Sequence, residues 1–173
     1  MARQASRCFL VILAWFTLFQ VNSLVSAAPR QQTVTTGAEI EPNNQFGAAT
    51  PIAASSQTQG AITTIGDANW YWLTVDQQGE LQIAITNVAV ELDINVRVWN
   101  ANKDSISNWI APLAKGGNVT GFVDLPAPGR YYLEVHDGSD DASSAQPYRM
   151  QLTFTPTVDA SEPNNAFGHA TPL

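Results

Sequence analysis

Cysteine is almost absent: the 173 residues contain one, Cys8, and it lies in an apolar stretch near the N-terminus. Beyond that stretch no thiol remains, so the downstream chain can hold neither a disulfide nor a cysteine nucleophile. Its stability has to come from an apolar core or a bound ion, and about 120 residues is enough to bury a sizeable core. Basic residues are also scarce, with 8 Lys and Arg against 15 Asp and Glu. Taking away Arg3 and Arg7 with the leader lowers 8 to 6 and leaves a net charge of −9. A surface of that sign disfavours nucleic acid and anionic membrane as partners and favours cations. Histidine occurs twice, at His136 and His169, and there is no His-Glu-x-x-His pair, Gly-x-Ser-x-Gly elbow, phosphate loop or dinucleotide fingerprint. His136, Asp137 and Ser139 are neighbours in one turn, whereas a triad needs its members on separate rigid elements. The sequence therefore predicts no enzyme.

A membrane-spanning run is missing as well. The apolar residues from Cys8 to Phe19 are followed by Gln20, Asn22 and Ser23, short of the about 20 needed to cross a bilayer. With Arg3 and Arg7 before it and Val25-Ser26-Ala27 after it, the run reads as a secretory signal over residues 1–28, cut after Ala27 or Ala28. The expected location is secreted, extracellular or periplasmic, with no membrane insertion after cleavage. Residues 29–38 carry no apolar periodicity and are expected to be a flexible lead-in.

What is present is a repeat. Glu41-Pro42-Asn43-Asn44-Gln45-Phe46-Gly47-Ala48-Ala49-Thr50-Pro51-Ile52 returns as Glu162-Pro163-Asn164-Asn165-Ala166-Phe167-Gly168-His169-Ala170-Thr171-Pro172-Leu173, 121 positions later. That spacing is a whole domain rather than a solenoid unit. Residues 39–157 are thus one complete module, and residues 158–173 a linker with the truncated start of a second copy.

Within the module the period is two. Tyr71, Leu73 and Val75 alternate with Trp70, Trp72 and Thr74; Leu81, Ile83 and Ile85 with Gln82, Ala84 and Thr86; Leu92, Ile94, Val96 and Val98 with Asp93, Asn95, Arg97 and Trp99. The same alternation runs through Arg130–His136 and Tyr148–Phe154, and weaker strands fit 58–62, 105–110 and 119–125. Gly66-Asp67, Gln78-Gly79, Gly116-Gly117-Asn118 and Asp137-Gly138-Ser139-Asp140 punctuate them with turn chemistry. Strands with one apolar face each and short polar turns predict an all-β, antiparallel, jelly-roll-like sandwich of about eight strands.

Five motifs in order resemble the bacterial pre-peptidase C-terminal domain family. They are Glu41-Pro42-Asn43-Asn44 with Phe46 and Ala49-Thr50-Pro51, Gly66-Asp67-Ala68-Asn69-Trp70-Tyr71, Leu92-Asp93-Ile94-Asn95-Val96, Ala127-Pro128-Gly129-Arg130-Tyr131-Tyr132-Leu133-Glu134-Val135, and Tyr148-Arg149-Met150-Gln151-Leu152. The resemblance covers about residues 39–156 and implies a jelly-roll-like β-sandwich. It also implies a non-catalytic accessory role, since members are usually appended to secreted peptidases and related collagen-binding modules bind calcium and a polymer. A catalytic domain outside this chain, or a spacer role in a tandem array, are the alternative settings for such a module.

Two candidate sites follow. In an extended segment Glu39, Glu41 and Asn43 share one face, and Asp67 with Asn69 share another at a turn; together they offer the hard oxygens that calcium requires. The competing reading is that Asn43, Asn44 and Asp67 cap turns through their own backbones. The calcium-binding relatives place their ligands in this acidic segment and the Gly-Asp turn, and their pattern is richer in aspartate than Asn44 and Asn69 allow here. The second candidate is an aromatic platform of Trp70, Trp72, Trp99 and Tyr132, all on the outward sets of their strands, suited to an extracellular protein or polysaccharide. Its competing reading is burial of some rings beneath a loop or the Phe46 segment. The acids at Asp137, Asp140 and Asp141 are read as a solvated turn or a further cation site.

Overall fold

In the computed structural model residues 35–157 are described. The predicted leader, its cleavage point and the truncated second copy lie outside them. Nine strands form two mixed sheets that pack as a sandwich, so the all-β expectation holds. The strands are β1 (Thr35–Ala38), β2 (Thr50–Pro51), β3 (Ser56–Gly60), β4 (Ala68–Val75), β5 (Gly79–Thr86), β6 (Ile94–Asn100), β7 (Val119–Leu125), β8 (Gly129–Asp137) and β9 (Tyr148–Pro156). One sheet has the order β1-β3-β9-β5-β7 and the other β2-β4-β8-β6.

The period-two pattern predicted from sequence is what the sandwich buries. On β4 Tyr71, Leu73 and Val75 face inward at 0%, 0% and 4% exposure, and Ile94, Val96 and Val98 on β6 are fully buried. Their partners on the other sheet are Leu81, Ile83 and Ile85 of β5 and Met150, Leu152 and Phe154 of β9. Fully burying each aliphatic side chain contributes about 1.5–3 kcal/mol before conformational entropy is counted, so this interleaved layer is the main source of stability.

Three details depart from the sequence reading. Thr35–Ala38, placed in the lead-in, forms β1 and pairs in parallel with Ser56–Gln59 of β3. Its backbone groups find ladder partners although its side chains carry no apolar signal. β2 also pairs in parallel, with β4, so neither sheet is purely antiparallel. Finally, residues 105–110 are not a strand. They touch β6 through isolated bridges, Trp99 to Ser105 and Val96 to Ile110, because the Ser107 hydroxyl accepts the Val98 N–H at 3.0 Å and interrupts the ladder.

A polar chain crosses the otherwise apolar core. Tyr71 of β4 and Tyr148 of β9, both fully buried, bring their hydroxyls to 2.7 Å across the sandwich. Tyr71 donates to Glu39 Oε2 at 3.0 Å, and Asn69 Nδ2 donates to the Tyr148 oxygen at 3.0 Å, so the Tyr148 proton goes to Tyr71. A Cβ at Gly60 would collide with both hydroxyls and the Glu39 carboxylate, which explains a glycine inside β3.

Candidate functional site

The segment that leads into the sandwich is fastened by its polar side chains. Glu39 Oε1 accepts the Ala61 N–H at 2.7 Å while Oε2 takes the Tyr71 proton. Burial raises the Glu39 pKa; the two hydrogen bonds oppose this and the charges of Glu41 and Asp67 reinforce it. Glu41 accepts the Asn43 N–H, and the Asn43 carbonyl accepts the Trp70 N–H at 3.0 Å, which ties the segment to the start of β4. Asp67 Oδ2 accepts from the backbone and hydroxyl of Thr63, as the turn-capping reading expects.

Asn43 and Asn69 are different. Both are fully buried, and the oxygen Oδ1 of each has no hydrogen-bond partner. Their orientation is set by the amide nitrogens: Asn69 Nδ2 faces the Ala61 carbonyl, which can only accept, and Asn43 Nδ2 donates to Thr50 Oγ1. Buried acceptors are nearly always satisfied; Asn43 is tied to Glu41 through its N–H, and Asn69 to Glu39 through the Tyr148 and Tyr71 hydroxyls. Glu39, Glu41 and Asp67 are close enough to interact electrostatically, without their oxygens gathering into one shell. Among the described residues, the carboxylates that do converge within 4.8 Å are Asp93, Asp137 and Asp141.

That trio has a structural explanation. Asp137 is fully buried; its Oδ1 accepts the Asp93 N–H at 2.9 Å and its Oδ2 the N–H groups of Asp141 and Ala142. Asp93 takes the Ser139 hydroxyl, and Lys115 pairs with Asp141 at 2.6 Å. Partial burial pushes the Asp93 pKa up, but hydrogen bonding with Asp137 and Ser139 and the Lys115 charge outweigh it and hold it below the usual value. His136 lies on the opposite face of β8 from Asp137, so His136, Asp137 and Ser139 form no relay.

The outer face of the four-stranded sheet collects the aromatics. Cross-strand register sets Trp72, Tyr132 and Trp99 in one row and Trp70, Glu134 and Arg97 in the next. All four tryptophans of the described residues belong to this face: Trp70 and Trp99 lie 5.9 Å apart, and Trp109, from the loop after β6, packs at 4.6 Å from His136. Tyr132 departs from the platform expectation. It is buried at 9% exposure because Phe46, on the 3₁₀ turn Phe46–Ala48, stacks over it at 3.7 Å. Trp70, Trp72 and Trp99 remain partly open.

Sequence reasoning did not assign the cations there. Arg97 lies 4.4 Å over Trp109, Arg130 4.0 Å over Trp72 and Lys103 5.1 Å over Phe46. Arg97 and Arg130 were visible as outward positions in their strands, whereas Lys103 and Trp109 sit in loops without a period. Burial raises the Glu134 pKa against the charges of His136 and Arg97. The Trp99 indole also lowers it, without making an aligned hydrogen bond. Elsewhere, an open cleft of about 330 Å³ lined by Ala38, Ile52, Ser56 and Thr58 contains no ionisable side chain.

A family model described as the bacterial pre-peptidase C-terminal domain matches residues 67–137, from the first turn acid to the buried Asp137. Residues 67–137 of the sandwich are thus similar to the bacterial pre-peptidase C-terminal domain. The matched stretch holds the whole four-stranded sheet except β2, and leaves Glu39, Glu41 and Asn43 outside. Solved structures similar to this domain include the pre-peptidase C-terminal domain of collagenase from Bacillus anthracis, at 17% identity over 61% of this chain and 94% of that one, with a TM-score of 0.47. PliG of Aeromonas hydrophila, a periplasmic inhibitor of g-type lysozyme, aligns at 17% identity over 71% and 100% of the two chains (TM-score 0.44). CorA of Methylomicrobium album BG8, a surface-associated copper-binding protein, aligns at 10% identity over 70% and 98% (TM-score 0.41). No curated protein sequence matches the chain. No helix among the described residues is long and apolar enough to cross a membrane.

Proposed function

We propose that this chain carries a secreted, non-catalytic binding module of the pre-peptidase C-terminal type, whose contact surface is the outer face of the four-stranded sheet. The observation that carries this reading is the concentration of Trp70, Trp72, Trp99 and Trp109 there, on or beside strands that cannot flex away. Rigid rings contribute binding energy with little loss of side-chain entropy. The partner is an extracellular protein or polysaccharide. In affinity electrophoresis the processed chain is retarded by gels holding such a polymer, gelatin or a glycan, and Trp72→Ala removes the retardation. Equal mobility of wild type and variant in every gel rejects the surface.

Calcium is the second part of the proposal. The unsatisfied, buried Asn43 Oδ1 and Asn69 Oδ1 fit an oxygen-seeking cation, with Glu39, Glu41 and Asp67 supplying negative charge nearby. An ion there would fasten the opening segment to β4. An ion bound only by the folded state raises the melting midpoint, by about 2.7 kcal/mol of stability at a hundred times its Kd. Identical melts in calcium and in chelator reject the site.

A further inference from the structure

The aromatic face carries the charge opposite to that of the chain. Among the described residues there are 13 acids and five Lys and Arg. Three of those five cations, Arg97, Lys103 and Arg130, lie over its rings. None of the three takes part in an ion pair among the described residues; the pairs there are Lys115 with Asp141 and His136 with Asp140. Glu134 is the one acid in the rows of the sheet face, and it is half-buried beside Trp99. Two N–H donors on the same face, Arg97 Nε and Trp99 Nε1, are buried without a partner. Lys103 and Arg130, exposed and held by rings rather than by carboxylates, keep their hydrogen-bonding edges free for a ligand.

We propose that this face recognises a carboxylate-bearing polysaccharide, a uronate polymer, with sugar rings against Trp72 and Trp99 and carboxylates meeting Arg130, Lys103 and Arg97. The inference depends on the reading of this face as the contact surface and names its ligand class. A uronate chain presents a flat apolar ring face and a carboxylate on each unit, which matches rings and guanidinium forks set out on a strand lattice. An acidic peptide offers the carboxylates without a ring on every unit. The chain's net charge of −7 disfavours capture of a polyanion at long range, so recognition has to come from local contacts.

The test titrates the processed chain by tryptophan fluorescence and calorimetry with a short oligogalacturonate, its full methyl ester, and poly-glutamate. The acid form is expected to bind at least about tenfold tighter than the ester. Lys103→Gln with Arg130→Gln, both exposed positions, should remove that advantage, while Trp72→Ala weakens acid and ester alike. Arg130→Lys keeps the charge but loses the fork and should fall between, and an unshifted melting curve confirms that each variant is folded. Equal binding of acid and ester overturns the uronate inference while the platform stands. Tighter binding of poly-glutamate also overturns it, in favour of an acidic peptide. Sugar binding that survives Trp72→Ala, or no binding of any probe, removes the platform and the inference together.

Discussion

Tyr148→Phe tests whether the polar chain across the core is a set of coupled hydrogen bonds. The substitution keeps the ring and removes the one oxygen that accepts from Asn69 Nδ2 and donates to Tyr71. Asn69 is fully buried, so one amide proton loses its partner while the other stays on the Ala61 carbonyl. A buried donor left without an acceptor costs about 1–3 kcal/mol. At about 3–5 °C per kcal/mol for a domain of about 120 residues, the melting midpoint should fall by roughly 3–15 °C. Tyr71→Phe should cost a similar amount for a different reason: Glu39 loses a donor and the Tyr148 proton loses its acceptor. In the double variant that proton no longer exists. The pair should therefore destabilise by about 1 kcal/mol less than the two single losses combined, as a double-mutant cycle read from urea denaturation at unchanged m-value. Strict additivity, or single losses below about 0.5 kcal/mol, would refute the coupled chain.

Glu39 carries a pH signature. Its folded pKa is raised from the ordinary 4.5, mainly by burial, so the folded state holds this proton more tightly than the unfolded chain does. Its contribution is complete below the unfolded value and is lost as pH climbs through the raised one. In chelator, stability should therefore drop across that window, and Glu39→Gln should flatten the step; parallel pH profiles for the two proteins contradict this. Asp137→Asn replaces an acceptor of three backbone N–H groups with one that can serve fewer, and should cost about 2–3 kcal/mol in denaturant unfolding, against no loss if the turn is merely solvated. Gly60→Ala should destabilise by more than about 2 kcal/mol, because two buried hydroxyls and a carboxylate have to move; a wild-type melting midpoint would show that the cluster yields easily.

Much of this architecture was legible because a sandwich strand exposes one face and buries the other. The inward sets on β4, β5, β6, β8 and β9 were the alternate residues of the sequence. The exceptions share a cause. β1 pairs with β3 through its backbone, and residues 105–110 are diverted from a ladder by one serine hydroxyl, so neither leaves a periodic trace. At the candidate sites the outward position of Tyr132 was readable, but its cover was not. Phe46 reaches it from 86 positions earlier in the chain, and no local pattern records such a contact.

By itself the sequence determined the β-sandwich, the likeness of its central stretch to a known family and the acidic character of the chain, since each depends on composition or on the identity of near neighbours. Only the tertiary structure decided which outward rings stay open, that the scarce cations gather over them, and that two amide oxygens are buried without partners. Those properties arise where distant segments meet, and the contact energies that select them act through space rather than along the chain.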